Sequence, residues 1–303
     1  MRKIVALLII LIAGFSFAQQ SYQKRFDTAW RLVAERYWDL SRLDVDWQNV
    51  REKYEKDAVN AIDDETFYEV LTEMYTEIGD NHSRFLSPAL VKEVQEKYQD
   101  LPCLGVFSQV EGANSLNKIS YKLLENKIAY IKVPDLASDF VAADIRKAVK
   151  ELVKQDAQSF ILDLRDNPGG RLVEMMQTAG IFTSGFLWRT ITNWTFPIPY
   201  PAIGKTETEL PLVVLINKNV NSAAEGLSGA LKQKGRATIV GETSAGNVEA
   251  VLPFCLRDGS QAWIATGVLA PIGAATWEGI GVVPDIETSS DSALQAAIDF
   301  LSK

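Results

Sequence analysis

The chain of 303 residues contains one histidine and two cysteines. Histidine-assisted chemistry therefore has a single candidate base, His82, in the turn Gly79-Asp80-Asn81-His82-Ser83. Cys103 and Cys255 are too few for a disulfide framework and too isolated for a zinc site, which needs clustered ligands. In an oxidising compartment they either pair or stand as separate buried thiols. No apolar run reaches the ~20 residues that a membrane-spanning helix needs, and neither internal repeats nor low-complexity tracts occur. The glycine pair at 169–170 is not followed by Gly-Lys-Ser/Thr, which excludes a phosphate loop.

Positive charge is also short, with 31 basic against 39 acidic residues and a net charge of −8. One apolar run, Ile4 to Ala13, follows Met1-Arg2-Lys3 and ends in Gly14-Phe15-Ser16-Phe17-Ala18. That is the charged start, greasy centre and small-residue end of a secretory leader, predicting cleavage after Ala18 and a periplasmic or extracellular protein; an uncleaved anchor is the alternative. No cysteine stands just after Ala18 to carry a lipid. Losing Arg2 and Lys3 with the leader would deepen the net charge from −8 to −10. Such a surface repels nucleic acid and anionic lipid, so neither is expected as a partner.

Beyond the leader, Phe26, Trp30, Val33 and Tyr37 fall on one helical stripe, as do Phe67, Leu71, Met74 and Ile78, and Asp63 to Glu65 place acid at a helix start. Gly79 suits a helix end. From residue 105 the texture changes. Lys118–Leu123 and Lys127–Val133 read as a hairpin, Val141 to Leu152 as a helix, Ser159 to Leu164 as a buried strand and Leu172 to Phe182 as a helix. A crossing loop with Pro197, Pro199 and Pro201 leads to the strand Leu212–Ile216, a helix from Ser222 to Lys234 and the strand Thr238–Val240. Strands alternating with helices predict an α/β core. The expected division is a leader at 1–18, a helical subdomain at 19–88 and the core at 89–303.

Four places could carry chemistry. Ser222, in Asn219-Val220-Asn221-Ser222-Ala223-Ala224-Glu225, begins a helix after a buried strand, where unpaired N–H groups and the helix dipole favour an oxyanion. The same residues form a capping box, with Glu225 reaching back. Asp163-Leu164-Arg165-Asp166-Asn167-Pro168-Gly169-Gly170 supplies glycines that let a substrate backbone approach, or simply makes a tight strand-to-helix turn. His82 also suits a helix C-terminus electrostatically, and Glu278, in Trp277-Glu278-Gly279-Ile280-Gly281-Val282-Val283-Pro284-Asp285, also suits an exposed loop.

In order and spacing, these segments together resemble the C-terminal-processing (tail-specific) serine peptidases over roughly residues 24 to 300. Gly235-Arg236-Ala237-Thr238-Ile239-Val240-Gly241-Glu242-Thr243 adds to the match. Members using a Ser-Lys dyad place a lysine 25 residues beyond the nucleophile, where this chain has Asn247. The resemblance is therefore to the branch of the tricorn protease core and the interphotoreceptor retinoid-binding protein modules. Tricorn carries a serine before its histidine; here Asn81 stands there.

This resemblance implies a Clp-protease/crotonase-like core of ββα units behind a small helical subdomain. Only about 38 residues separate Pro88 from Lys127, so no PDZ domain is expected. It implies a peptide or protein substrate, attack by Ser222, proton transfer to His82 and orientation by Glu278. The backbone N–H of Ala223 and of Gly169 or Gly170 would hold the oxyanion, with no metal or organic cofactor. The alternatives on the same fold are a non-catalytic module holding a lipid, retinoid-like or peptide ligand, and a crotonase-type acyl-CoA enzyme.

Overall fold

The computed structural model describes residues 21–80, 82–98, 119–138, 140–193 and 195–303. The expected leader, Asn81 and Cys103 lie outside the described residues, whereas Cys255 is exposed and disulfide-bonded. The chain forms two compact units: Met1–Cys103 with Thr192–Thr195 and Val251–Gly267, and Leu104–Ile191 with Phe196–Ala250 and Val268–Lys303. The first unit is thus not confined to the N-terminal stretch. Two later segments join it, and no local sequence pattern marks them.

In the first unit, helix α1 covers residues 21–36, α2 Trp47–Val59 and α3 Asp64–Thr76. The apolar stripes are what these helices bury: Phe26, Val33, Phe67, Leu71 and Met74 are all inaccessible to solvent. Asp46 and Asp63 accept N–H bonds at the starts of α2 and α3, satisfying donors with no partner inside the helix. After α3 the chain turns at Gly79, whose φ of +75° is a conformation glycine adopts at little cost. The short strand β1, Arg84–Leu86, and helix α4, Pro88–Tyr98, follow.

The second unit runs through β2 Ser120–Leu123, β3 Ile128–Lys132, α5 Val141–Lys154, β4 Ser159–Asp163, α6 Leu172–Phe182, β5 Phe186–Ile191, β6 Ile198–Pro201, β7 Leu212–Ile216, α7 Ala223–Gln233 and β8 Thr238–Gly241. Strands β9, Glu249–Cys255, and β10, Gln261–Pro271, precede β11, Ile286–Glu287, and helix α8, Ala293–Leu301. One sheet has the order β11-β8-β7-β4-β3-β2, parallel throughout except for the hairpin of β2 and β3. Its central strands β4 and β7 are buried on both faces, and the period of two divides their side chains. Ile131, Phe160, Leu162, Val214 and Ile216 pack with α5, α6 and α7, whereas Ile128, Ile161, Val213, Leu215 and Val240 pack with Ala293 and Ala297 of α8.

Strand β10 contributes to both units: Gln261 to Trp263 pair with β1 in the first, and Val268 to Pro271 pair with β5 in the second. The proline-rich segment expected to be a crossing loop is strand β6 for residues 198–201, antiparallel to β5. It lies at the edge of its sheet beside β5, and an edge strand tolerates prolines because its outward N–H groups need no partner. No PDZ domain occurs among the described residues. Only residues 99–118, outside the description, separate α4 from the core's Ile119.

Candidate active site

Two parallel strands, β4 and β7, end side by side, and each feeds a turn that starts a helix. Crevices beyond the carboxyl ends of such strands are where open α/β sheets bind ligands. The turn after β4 is fixed by buried polar groups. Asp163 is inaccessible to solvent and receives bonds from Arg165 Nε at 3.0 Å and Tyr130 Oη at 2.6 Å. Burial pushes its carboxyl up, but the Arg165 guanidinium, the Tyr130 hydroxyl and nearby Lys132 together hold it below the usual carboxylate range. Asn167, also fully buried, donates to the Val133 carbonyl at 2.9 Å. Its backbone carbonyl accepts the N–H of Asn221 at 3.1 Å, binding the first turn to the residue before Ser222.

The two turns are stitched together a second time. Asp166 accepts Nδ2 bonds from Asn217 and Asn219, each at 2.8 Å, and its own N–H donates to Asn217 Oδ1 at 3.0 Å. Bonds from Asn219 and Asn217 hold its carboxyl below the usual range.

Ser222 precedes α7 with φ 50° and ψ −122°, a backbone conformation costly for a residue with a side chain. Its Oγ lies in capping-box position toward the Glu225 N–H, but the bond with full hydrogen-bond geometry is the reciprocal one, Ser222 N–H to Glu225 Oε2 at 3.1 Å. The same N–H reaches the Asn247 carbonyl at 2.9 Å. Position 247, where a Ser-Lys peptidase would carry its lysine, therefore borders the serine.

Glu225 does far more than cap. Its carboxylate, fully buried, also accepts Ser244 Oγ and the Gly246 N–H, both at 2.6 Å, and the Asn247 N–H at 2.9 Å. The local sequence shows only the capping role, because its other donors lie 19 to 22 residues further on. Glu278 Oε2 accepts the Val248 N–H at 2.8 Å, so its carboxylate is tied one residue from Asn247.

Gly169 lies against Ser222 so closely that a Cβ there would stand 2.7 Å from Asn221 O, 2.8 Å from Ser222 Cβ and 2.9 Å from Ala223 N. Its N–H donates to Asn167 Oδ1 at 2.8 Å and is thereby occupied. Gly170 forms a parallel bridge with Leu136 in which the bonding groups are Leu136 N–H, Gly169 O, Leu136 O and Arg171 N–H, leaving the Gly170 N–H out of the bridge. Ala223, at the first position of α7, has no carbonyl one turn back within the helix.

The structure thus brings Ser222, Ala223, Gly169, Gly170 and Glu278 into one network of the second unit. His82 belongs to the first unit. It is half-buried, and its N–H donates to Asp80 Oδ1 at 2.8 Å.

A sequence profile of Peptidase family S41 matches residues 127–288, and one of the Tricorn protease C1 domain matches residues 18–76. The chain is 34% identical over 167 residues to carboxyl-terminal-processing peptidase 3 of Arabidopsis thaliana, which takes in 54% of this chain and 32% of that one. To the carboxyl-terminal-processing protease of Picosynechococcus sp. it is 30% identical over 205 residues, covering 62% of this chain and 49% of that one. The chain spans a third to a half of the length of these relatives. Among solved structures, a photosystem II D1 C-terminal processing protease shares the fold at a TM-score of 0.71 and 20% identity, covering 93% of this chain and 98% of that one. With more than half of its residues matched, including both strand-to-helix turns and the Glu278 loop, this chain belongs to peptidase family S41.

Proposed function

We propose that the protein is an exported serine peptidase that cleaves peptide bonds through an acyl-enzyme. Ser222 Oγ attacks the substrate carbonyl while His82 takes the hydroxyl proton. The tetrahedral intermediate then collapses, the C–N bond breaks and His82 passes the proton to the departing amine. Water attacks the acyl-serine next, His82 again accepts a proton, and its return to Ser222 Oγ releases the acid. Glu278 orients the imidazole and stabilises its protonated form.

The oxyanion falls to the N–H groups of Ala223 and Gly170, since that of Gly169 is engaged by Asn167. Each such donor is worth about 3 kcal/mol, and general-base help about 10² to 10⁴-fold. Asn247 in place of the lysine supports a histidine base over a Ser-Lys dyad. Export rests on the leader-like residues 1–18. Among the described residues no helix is long and apolar enough to cross a membrane.

One observation carries the reading: Ser222 is held at a strained helix start, with the Gly169 turn packed on its Cβ and the Ala223 N–H beside it. A fluorophosphonate probe tests it. Labelling at Ser222, lost in Ser222→Ala together with peptide cleavage, is the expected outcome, whereas cleavage without labelling would point to another nucleophile, and neither cleavage nor labelling to a ligand-binding module.

A further inference from the structure

The only imidazole in the chain sits in a turn whose shape is set by two residues that the mechanism above does not use. Asp80 Oδ1 accepts the N–H groups of both His82 and Ser83, and Asp80 Oδ2 accepts the Ser83 hydroxyl at 2.7 Å. That hydroxyl in turn accepts the N–H of Ala265 in β10 at 3.0 Å. Ala265 is itself fixed: it is inaccessible to solvent, and its carbonyl accepts the Trp38 N–H at 3.0 Å. The Asp80 carboxylate and the Ser83 hydroxyl therefore connect the backbone of His82 and Ser83 to a buried strand of the same unit.

We propose that Asp80 and Ser83 are positioning residues for His82, fixing where and how its imidazole is presented. The proposal rests on the reading of His82 as the base. A turn leaving a helix through Gly79 has many accessible backbone conformations, and here the Asp80 carboxylate selects one by satisfying two successive N–H groups. Ser83 adds what a local turn cannot supply, a bond to an element nearly two hundred residues away in sequence. Displacing a catalytic group by about 1 Å costs on the order of 10²-fold in rate, so the clamp would be felt in turnover rather than in substrate binding.

Because His82 is the only histidine, histidine-selective ¹⁵N labelling gives one set of imidazole signals, and the clamp can be read without any assay of activity. In Ser83→Ala and Asp80→Ala these signals should shift or broaden. Turnover should fall by about tenfold or more with KM within about twofold, and fluorophosphonate labelling of Ser222 should slow in the same proportion. Ser83→Thr keeps the hydroxyl and should restore both readouts. Asp80→Asn, which keeps one acceptor oxygen, should fall between wild type and Asp80→Ala, and serves where an alanine variant does not fold.

Unmoved imidazole signals in the alanine variants, or wild-type turnover in them, would overturn the proposal. A fully active His82→Ala would instead overturn the assignment of His82 as base, leaving the imidazole signals to report on the clamp itself.

Discussion

The turns carrying Ser222 and His82 are built by different means. Around Ser222 the fixing groups are buried and numerous: Glu225 accepts four donors, Asn167 joins two turns, and Gly169 leaves no room for a methyl group. Around His82 the fixing groups described are half-buried, among them one carboxylate and one hydroxyl. A conformation such as that of Ser222, costing about 1 to 3 kcal/mol, persists only where its surroundings over-determine it. Among the described residues of the His82 turn only Gly79 has a positive φ, which glycine adopts at little cost, so a lighter clamp suffices there. The position of Ser222 is thus paid for by the core, and that of His82 by a loop.

The largest effect that could break this comparison is catalytic. Ser222→Ala and His82→Ala should each lower peptide cleavage by about 10³-fold or more, and the double variant should be scarcely worse than either, because the members of such a unit do not act additively. Additive losses measured by steady-state kinetics would sink the triad. Ser222→Ala should shift stability by no more than about 1 kcal/mol, since its Oγ makes no full cap bond.

Next comes a matched pair of glycines. Gly169 and Gly185 share a φ of +92°, but a Cβ at Gly185 would meet nothing within 4 Å. Both alanine variants carry the same backbone cost of about 1 kcal/mol, and Gly169→Ala adds a collision with Asn221, Ser222 and Ala223. It should abolish cleavage and lower stability by about 2 kcal/mol more than Gly185→Ala, which should stay active. Equal losses in denaturant unfolding would show that the close approach does not matter.

Glu225→Gln sharpens the same contrast, because one of its two acceptor oxygens becomes a donor facing N–H and O–H groups. A stability loss of about 3 kcal/mol, with cleavage reduced beyond the loss of folded protein, is expected. Glu278→Gln keeps the shape and removes the charge. It should cost less activity than His82→Ala and little stability, and an effect equal to that of His82→Ala would make Glu278 more than an orienting residue.

The smallest effect is on pH. Asp163 and Asp166 have carboxyls held below their usual range in the folded chain, so both favour the fold at pH values above the unfolded carboxylate range, near 4. That contribution should fade as pH falls through their folded values. Asp163→Asn should flatten the acid limb of a stability–pH curve, and an unchanged limb would show that the buried Asp163–Arg165 pair is not linked to folding.

Much of the second unit was legible because its information is local. Helix α6 and strand β7 occupy the spans their patterns indicated, Leu172–Phe182 and Leu212–Ile216, since period and burial agree there. The local pattern does not show strands β5, β9 and β10, and it reads β6 as a loop. Their pairing partners are remote, and prolines mask the edge strand. The candidate residues Ser222, Gly169 and Glu278 were visible through the order of their motifs, whereas the anchoring work of Glu225, Asn167 and Asp80 was not.

By itself the sequence determined the alternation of strands and helices, the two strand-to-helix turns, the single available imidazole and the missing lysine at position 247. Those follow from residue identity and from periods of two and 3.6, which need no knowledge of distant contacts. Only the tertiary structure decided which buried donors a given carboxylate satisfies, that Gly169 rather than Gly170 has its N–H occupied, and that residues 251–267 join the N-terminal helices. Arg25 and Asp258, joined at 2.7 Å across 233 residues, show the physical reason: a hydrogen bond is chosen by what the fold brings within 3 Å, and chain separation leaves no trace of that choice in the local pattern.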